Sequence, residues 1–334
     1  MAANSPLRYT QVAILFSSTT KSDVLETPMS TTLSPKPKSS LDNPELRQWK
    51  AQLRDEAPAA TPGLFSPEFW QETGAMTRRL FIQLQRRPST LVAGVVQPVM
   101  WLILFGALFQ NVPEGLFGES RNYGQFLGAG IIVFTAFGGA LNAGLPVMFD
   151  REFGFLNRFL VAPLASRYSI VAASAIFIAA MSMVQTAAII GLSAALGAGL
   201  PDPAGLALVV LIVLTLVLGV TALSLGLSFA LPGHIELIAV IFVTNLPLLF
   251  SSTALVPLSF MPPWLQVVAS LNPLSYAIEP IRYIYLHAGD WGLGSVVMHA
   301  PFAEVTLAAA LGVLIGFCGL SLALIQPLLR RRIA

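Results

Sequence analysis

Six long apolar stretches occupy most of the chain from residue 90 onward, and short polar segments separate them. An α-helix rises about 1.5 Å per residue, so about 20 apolar residues cross the hydrocarbon core of a bilayer. The sequence therefore predicts an all-α integral membrane protein with six transmembrane helices. The predicted spans are 90–111, 125–148, 168–198, 204–231, 237–257 and 305–328.

Charged side chains are nearly absent from these stretches. Of the 334 residues, 55% are hydrophobic and 11% are charged, whereas a soluble domain carries roughly 25% charged residues. No Asp, Glu, Lys or Arg occurs in the ranges 168–201, 203–235, 237–278 and 305–329. An unpaired charge at the membrane centre costs at least ~2.5 kcal/mol, so this pattern favours helices in contact with membrane lipids. The net charge of +2 indicates no nucleic-acid partner.

The arginines near the span ends predict the orientation of the chain. One side carries Arg78, Arg79, Arg86, Arg87, Arg151, Arg158, Arg167, Arg330, Arg331 and Arg332. The other side carries only Arg121 and Arg282. Because arginine is enriched on the cytoplasmic side, both termini are expected in the cytoplasm, with the plasma (inner) membrane as the default location. The loop 231–236 should also be cytoplasmic, although it contains no arginine.

The N-terminal segment differs from the rest of the chain. Residues 1–62 are rich in Ser, Thr and Pro, and all four lysines of the chain lie here. Such a segment buries too little apolar surface to offset its ordering entropy, which predicts a disordered cytoplasmic tail. Its mixed acidic residues disfavour an organelle transit peptide. The transmembrane domain is predicted over 63–334.

An amphipathic helix is predicted over 67–87, directly before the first span. Ser66 followed by Pro67 is typical of a helix start, and Pro88 ends the helix. Apolar residues recur on one face, as expected for a helix that lies in the cytoplasmic membrane interface. The pattern fits a passive anchor for the tail and a mechanical element about equally well.

The loop after the second span contains a second amphipathic pattern. Phe149, Phe153, Leu156 and Leu160 share one helical stripe, and Arg151 and Arg158 share the opposite face. A short helix of this kind can dock a soluble partner. An ordinary arginine-bearing cytoplasmic loop without a partner explains the same pattern.

The segment 258–304 is too apolar for a solvated loop and too often broken by proline for a span. A short apolar helix is predicted over 262–271, and a second one from Pro273 to about His287. They are predicted to be half-helices that dip back into the outer leaflet. Glu279 and Arg282 lie three residues apart and can pair on one helix face. A deep functional pair and an interfacial pair near the outer headgroups both remain open.

The sequence contains no catalytic or nucleotide-binding motif. The Gly-x-x-x-x-Gly-Lys-[Ser/Thr] phosphate loop, His-Glu-x-x-His and Gly-x-Ser-x-Gly are absent. The three histidines are too scattered to suggest a metal site, so no cofactor is expected in this chain. The main polar side chains within the spans are Gln97, Asn142, Gln185 and Asn245. Interhelical hydrogen bonds are the favoured role for each of them, ahead of substrate binding.

The order of these features resembles a known family. The loop reads Asp150-Arg151-Glu152-Phe153-Gly154 and ends Val161-Ala162-Pro163-Leu164. The outer segment contains Pro262-Pro263-Trp264-Leu265 and then Asn272-Pro273-Leu274-Ser275-Tyr276-Ala277-Ile278-Glu279-Pro280-Ile281-Arg282. Residues 67–330 thereby resemble the membrane subunits of ATP-binding-cassette (ABC) exporters of the type-2 permease class.

The resemblance implies a function and a set of partners. In that family the loop after the second span is a coupling helix on the ATPase subunit, which implies coupling roles for Asp150, Arg151, Glu152, Gly154, Asn157 and Arg158. The outer half-helices line the exit, which implies a place there for Asn272, Pro273, Tyr276, Glu279 and Arg282. The expected complex contains separate ATPase subunits holding ATP and Mg, a second permease copy in a homodimer, and membrane lipids.

The expected activity is ATP-driven export of an amphipathic, drug-like or lipid-linked substrate, and the chain itself is not expected to be an enzyme. The alternative is a channel or a membrane assembly scaffold without ATP coupling.

Overall fold

A computed structural model describes residues 66–109, 111, 123–154, 168–195 and 199–333, all of which belong to the compact unit Ala59–Ala334. The predicted tail, residues 1–62, lies outside the described residues. The described part is mostly helical. Its elements are α1 Pro67–Arg86, α2 Pro88–Leu108, α3 Tyr123–Leu141, α4 Gly144–Glu152, α5 Tyr168–Ala195, α6 Pro203–Ala230, α7 His234–Phe250, α8 Pro263–Leu271, α9 Ser275–Leu286, strands β1 Val296–Ala300 and β2 Ala303–Thr306, and α10 Leu307–Ile333.

Four segments of the described chain are long and apolar enough to cross a membrane by length and composition. They are Phe126–Glu152, Tyr168–Ala195, Pro203–Ala230 and Leu307–Leu328. Two further apolar helices, Val92–Leu108 and His234–Phe250, fall where the first and fifth spans are predicted, but they are shorter. Multi-pass membrane insertion is therefore supported, and the six-span arrangement stays a prediction.

Helix α1 forms where the sequence predicts it. The Ser66 hydroxyl accepts a hydrogen bond from the backbone N–H of Phe69 at 3.2 Å, and this bond caps the first turn. Phe69 and Thr73 are buried as α1 packs along α5. The rings of Phe81 and Phe177 meet edge to face with centroids 5.2 Å apart. Contact with α5 thus occupies much of the apolar face of α1.

Helix α6 is the centre of the bundle. It packs against α3, α4, α5, α9 and α10. Its inward residues, which include Ile212, Leu216 and Val217, are completely buried. Gly219 lets α10 approach closely, because a Cβ there would lie 3.2 Å from the Cα of Cys318.

The predicted second span is not one continuous helix. It breaks at residues 142–143, between α3 and α4. The hydroxyl of Ser224 on α6 donates to the carbonyl of Leu141 at 2.5 Å and accepts from the N–H of Gly144 at 2.9 Å. A side chain from α6 therefore supplies bonds that the helical ladder otherwise provides, which is a recognised cause of helix kinks.

The outer segment corrects the all-α prediction in one detail. Helices α8 and α9 form close to the predicted half-helices, but β1 and β2 follow as an antiparallel hairpin. Met298 pairs with Val305, and both side chains are buried. Because Val305 and Thr306 belong to β2, the last long helix begins at Leu307 rather than at the predicted 305. The re-entrant depth of α8 and α9 stays a prediction.

Asp202 holds together two loops that the predicted orientation places on the outer side. Its carboxylate caps α6 by accepting from the N–H of Gly205 at 3.2 Å, and it accepts from the indole N–H of Trp291 at 2.8 Å. The loop before α6 and the loop after α9 therefore lie on the same side of the bundle. The Trp291 hydrogen bond, aided by backbone N–H groups, holds the pKa of the Asp202 carboxyl below its usual value of 3.8.

We predict that Gly144→Ala destabilises the bundle. A Cβ at this position would lie 2.4 Å from the backbone oxygen of Ser224, so α4 and α6 must separate. The expected cost is about 1–3 kcal/mol, measured by thermal unfolding in detergent. Gly312→Ala on α10 is the matched control, because nothing lies within 4 Å of its Cβ. Equal unfolding temperatures for the two variants would contradict the close contact.

The lowered pKa of Asp202 predicts an acid-side loss of stability. The carboxylate contributes fully above about pH 4, and its contribution disappears as the pH falls through the depressed folded pKa. Unfolding temperature measured against pH should therefore show an acid-side decrease that is smaller in Asp202→Asn. Asp290→Asn, a change in the same outer region, should keep the wild-type profile. An unchanged profile in Asp202→Asn would refute this assignment.

Candidate functional site

The end of α4 carries the Asp150-Arg151-Glu152 triplet, and each of its side chains contacts a different helix. Asp150 pairs with Arg79 of α1, whose Nη2 lies 3.2 Å from Oδ1 and 3.3 Å from Oδ2. Both side chains are partly exposed, so the pair contributes at most about 1 kcal/mol to stability. Its geometric effect is to tie the interfacial helix to α4.

Arg151 caps the end of α6. Its guanidinium donates to the carbonyls of Ser228 at 2.7 Å, Leu231 at 2.5 Å and Pro232 at 2.8 Å. These carbonyls lie at the negative end of the helix dipole and have no helical partner of their own. Arg151 thus places a positive charge beside the loop 231–236, which contains no arginine of its own.

Glu152 caps the start of α7. Its Oε1 accepts from the backbone N–H of His234 at 2.8 Å, and its Oε2 contacts Nδ1 of the same histidine. The glycine at 233 leaves room for this approach, since a Cβ there would lie 2.8 Å from Oε1. The Phe149 ring packs on the His234 ring with centroids 5.2 Å apart.

We call Asp150, Arg151 and Glu152 the α4 clamp. Through three consecutive residues it connects α4 to α1, α6 and α7, so these helix ends lie on one side of the bundle. Gly154 follows with a φ of +74°, a conformation that favours glycine and turns the chain away from α4. Asn157 and Arg158, which complete the predicted coupling set, lie outside the described residues.

The outer cluster is built around Arg282, whose side chain is 7% exposed. Its Nη1 donates to Glu279, its Nη2 to the carbonyl of Thr253 at 2.7 Å, and its Nε to the carbonyl of Phe126 at 3.3 Å. The guanidinium also lies 3.7 Å from the centroid of the Phe126 ring. The Glu279–Arg282 pair forms as the sequence predicts and joins α9 to α3 and to the turn after α7.

Asn272 connects the same turn to the outer helices. Its Nδ2 donates to the carbonyls of Leu248 at 2.8 Å and Ser251 at 2.9 Å, and its Oδ1 accepts from the N–H of Leu274 at 3.0 Å. Pro273 lies in the turn before α9, and Tyr276 is buried in the core. Asn272 and Tyr276 thus help to hold the outer region together.

An outer cavity of about 400 Å³ opens beside this cluster. Glu279, Arg282, Tyr283, His287 and the first strand of the hairpin line it. Among the described residues, no group of three or more histidine, cysteine or acidic side chains is placed to hold a metal ion.

The polar side chains of the predicted spans converge on a second cavity, which we call the amide cavity. Gln97, Asn142, Gln185 and Asn245 line it. Gln185 makes the predicted interhelical bond, since its Nε2 donates to the carbonyl of Gly94 at 3.0 Å. Asn142 instead donates to the carbonyl of Gly138 in its own helix at 2.7 Å. An interhelical role is therefore confirmed for Gln185 but not for Asn142.

Sequence reasoning missed several partners. The sequence marks Arg79 only as one of the arginines that predict the membrane orientation. It gives no indication of the contacts made by Ser224, His234 and Thr253. Each contacts its partner across at least 29 positions. Local spacing therefore cannot reveal these contacts.

The pattern of the ABC-2 type transporter family matches residues 71–286, about two thirds of the chain. The chain belongs to the ABC-2 type transporter family. The matched region contains both the α4 clamp and the outer cluster. The permease is thus a non-enzymatic membrane subunit of an ABC transporter complex.

Relatives of this permease carry concordant names. It is 50% identical over 284 residues to the "Putative transport permease ycf38" of Porphyra purpurea, which covers 85% of this chain and 97% of that protein. The protein of the same name in Cyanophora paradoxa is 50% identical over 267 residues, 80% of this chain and 91% of the relative. The "Daunorubicin resistance ABC transporter permease protein DrrB1" of Streptomyces coeruleorubidus is 27% identical over 241 residues, 69% of this chain and 82% of the relative.

We predict that Arg282→Gln strongly destabilises the permease. The change removes the cation beside the Glu279 carboxylate, which is 15% exposed, and deprives two carbonyls of their buried donor, at a cost of about 3 kcal/mol. Thermal unfolding in detergent measures this effect. Glu304→Gln is the control, because its pair with His299 on the hairpin is highly exposed, and it should change stability by about 0.5 kcal/mol or less. If Arg282→Gln unfolds at the wild-type temperature, the buried pair does not hold the outer region.

Proposed function

We propose that this chain is the permease subunit of an ATP-driven ABC exporter that moves an amphipathic, drug-like or lipid-linked substrate out of the cytoplasm. The observation that carries the proposal is the α4 clamp. It lies at the start of the predicted coupling loop and contacts three other helices. A force applied to this loop therefore reaches the bundle through defined hydrogen bonds.

The energy source is a separate polypeptide. No phosphate loop occurs anywhere in the sequence, and family membership supports a complex with ATPase subunits that hold ATP and Mg. The expected arrangement pairs two permease copies with two ATPases, with both permease termini in the cytoplasm of a plasma (inner) membrane. Asn157 and Arg158 are proposed to extend the ATPase-contacting surface beyond Gly154.

The proposed coupling step is a movement of α4 relative to α3. Ser224, not a continuous helical ladder, sets the angle at the break between them. When the ATPases close, they push the coupling loop, and α4 pulls on Arg79, on the end of α6 and on the start of α7. Each of these contacts fixes the position of a helix relative to α4, so together they transmit a conformational preference.

The cargo class is supported by the spans and by the names of relatives. The predicted spans carry almost no charge, which favours a substrate with a large apolar part. Relatives at 26–27% identity are named for doxorubicin and daunorubicin resistance. The outer cavity beside Glu279 and Arg282 is proposed as the exit.

A charge-swap experiment tests the coupling proposal. The permease is reconstituted in liposomes with its partner ATPase, and ATP-dependent efflux of a fluorescent amphiphile is measured. Asp150→Arg places two cations together and should reduce efflux at least tenfold while both subunits still copurify. Adding Arg79→Asp should restore a large part of the efflux, because the pair is rebuilt with its charges exchanged.

The control is Arg78→Asp, an exposed neighbour on α1, which should retain efflux. Full efflux in Asp150→Arg, or no recovery in the double variant, would refute transmission through this pair. Efflux that needs no ATPase would refute the exporter proposal and favour a channel.

A further inference from the structure

The amide cavity has the dimensions of a ligand site. It lies among α2, α3 and α5 and has a volume of about 420 Å³. Small-molecule sites typically measure about 300–1,000 Å³. Three aromatic side chains, Trp101, Phe134 and Phe177, contribute to its walls. The cavity can therefore surround one ring-sized group.

The polar lining of the cavity is entirely uncharged. Its hydrogen-bonding side chains are Gln97, Thr135, Asn142, Ser182, Gln185 and Asn245. No acidic or basic side chain is among the described residues that line it. A charged ligand group would lose its hydration here without meeting an opposite charge, which disfavours its binding.

Two of these polar groups have unused hydrogen-bonding capacity. Ser182 is 1% exposed, and its hydroxyl has no hydrogen-bond partner among the described residues. The Oδ1 atom of Asn245 is also buried without a partner in the described part of the chain. Leaving a buried polar group unpaired costs free energy. A ligand with hydroxyl and carbonyl groups would remove this cost at both positions.

Two glycines leave space beside the polar lining of the cavity. A Cβ at Gly139 would lie 3.9 Å from Oε1 of Gln185 and 4.0 Å from the hydroxyl of Ser182. Gly138 lines the cavity, and nothing lies within 4 Å of a Cβ placed there. A larger residue at either position would extend into the cavity and occupy ligand space.

The geometry points to the amide cavity as a binding site for an uncharged, polyhydroxylated headgroup joined to an apolar tail, as in a neutral glycolipid. The uncharged amides and hydroxyls pair with the headgroup, and the aromatic side chains pack against its ring. The tail follows the apolar surfaces of α2 and α5 into the lipid. This inference rests on the proposed export function and narrows its cargo from amphiphiles in general to neutral ones.

A binding measurement on the purified full-length permease tests the site. The probe is a fluorescent monoglucosyl diacylglycerol, and its Kd is obtained from fluorescence anisotropy in detergent. Two probes with the same tail carry a trimethylammonium or a phosphate headgroup. The glucosyl probe should bind at least tenfold more tightly than either charged probe.

Three variants localise the binding. Gly138→Leu fills the cavity and should weaken binding of the glucosyl probe at least tenfold, and Ser182→Ala should weaken it about threefold. Gly191→Leu is the matched control. Gly191 is an exposed position of α5, and nothing lies within 4 Å of a Cβ placed there. This variant should bind like the wild type. Unfolding temperatures verify that all three variants fold. Unchanged binding in a folded Gly138→Leu, or equal affinity for the charged probes, overturns the inference.

The failure of this inference is distinguishable from the failure of the proposed function. Binding needs no ATPase, so a Gly138→Leu effect without ATP-driven efflux would retain the site and reject the exporter. ATP-driven efflux together with unchanged binding in Gly138→Leu would retain the exporter and reject this site. If Gly138→Leu does not fold, Gly139→Ala takes its place, because it adds one methyl group at ordinary contact distance.

Discussion

Side chains that bond to the backbone at helix ends are the interaction on which this bundle depends. A helix that ends inside a membrane protein leaves carbonyl and amide groups without partners, and lipid cannot supply them. Arg151 bonds to carbonyls at the end of α6, and Asn272 does so at the end of α7. Ser224 donates to the carbonyl of Leu141 at the break after α3, and Arg282 donates to the carbonyl of Thr253 in the turn that follows α7. The bundle tolerates broken helices because side chains form hydrogen bonds with the backbone groups at their ends.

The same bonds are made by residues of the motifs through which the sequence resembles the family. The α4 clamp is both a set of helix caps and the start of the predicted coupling loop. Asn272 and Arg282 likewise stabilise the outer region that is proposed to form the exit. A residue that satisfies a helix end also fixes the position of that end. In the proposed coupling step, movement of the loop carries the attached helices along, because leaving them behind would break bonds to charged groups.

Much of this architecture could be predicted from the sequence. The start of α1 at Ser66-Pro67, the ranges of α5 and α6, the two short outer helices and the Glu279–Arg282 pair all follow from local rules of capping, hydropathy and spacing. The break at residues 142–143 could not be predicted, since its cause is a serine 83 positions away from Leu141. The hairpin of β1 and β2 was missed because its short strands follow an apolar segment with proline breaks. Asn142 was expected to bond between helices, but its amide donates to the carbonyl of Gly138 in its own helix.

The sequence by itself determined that the chain enters a membrane, which segments are apolar, and which residues lie on each helix face. These properties depend on composition and on periods of a few residues. The tertiary structure decided which polar groups meet: Arg79 with Asp150, Arg151 with the end of α6, and four scattered amides around one cavity. Such contacts join positions far apart in the chain. They depend on how the apolar faces pack, and hydropathy constrains that packing without specifying it.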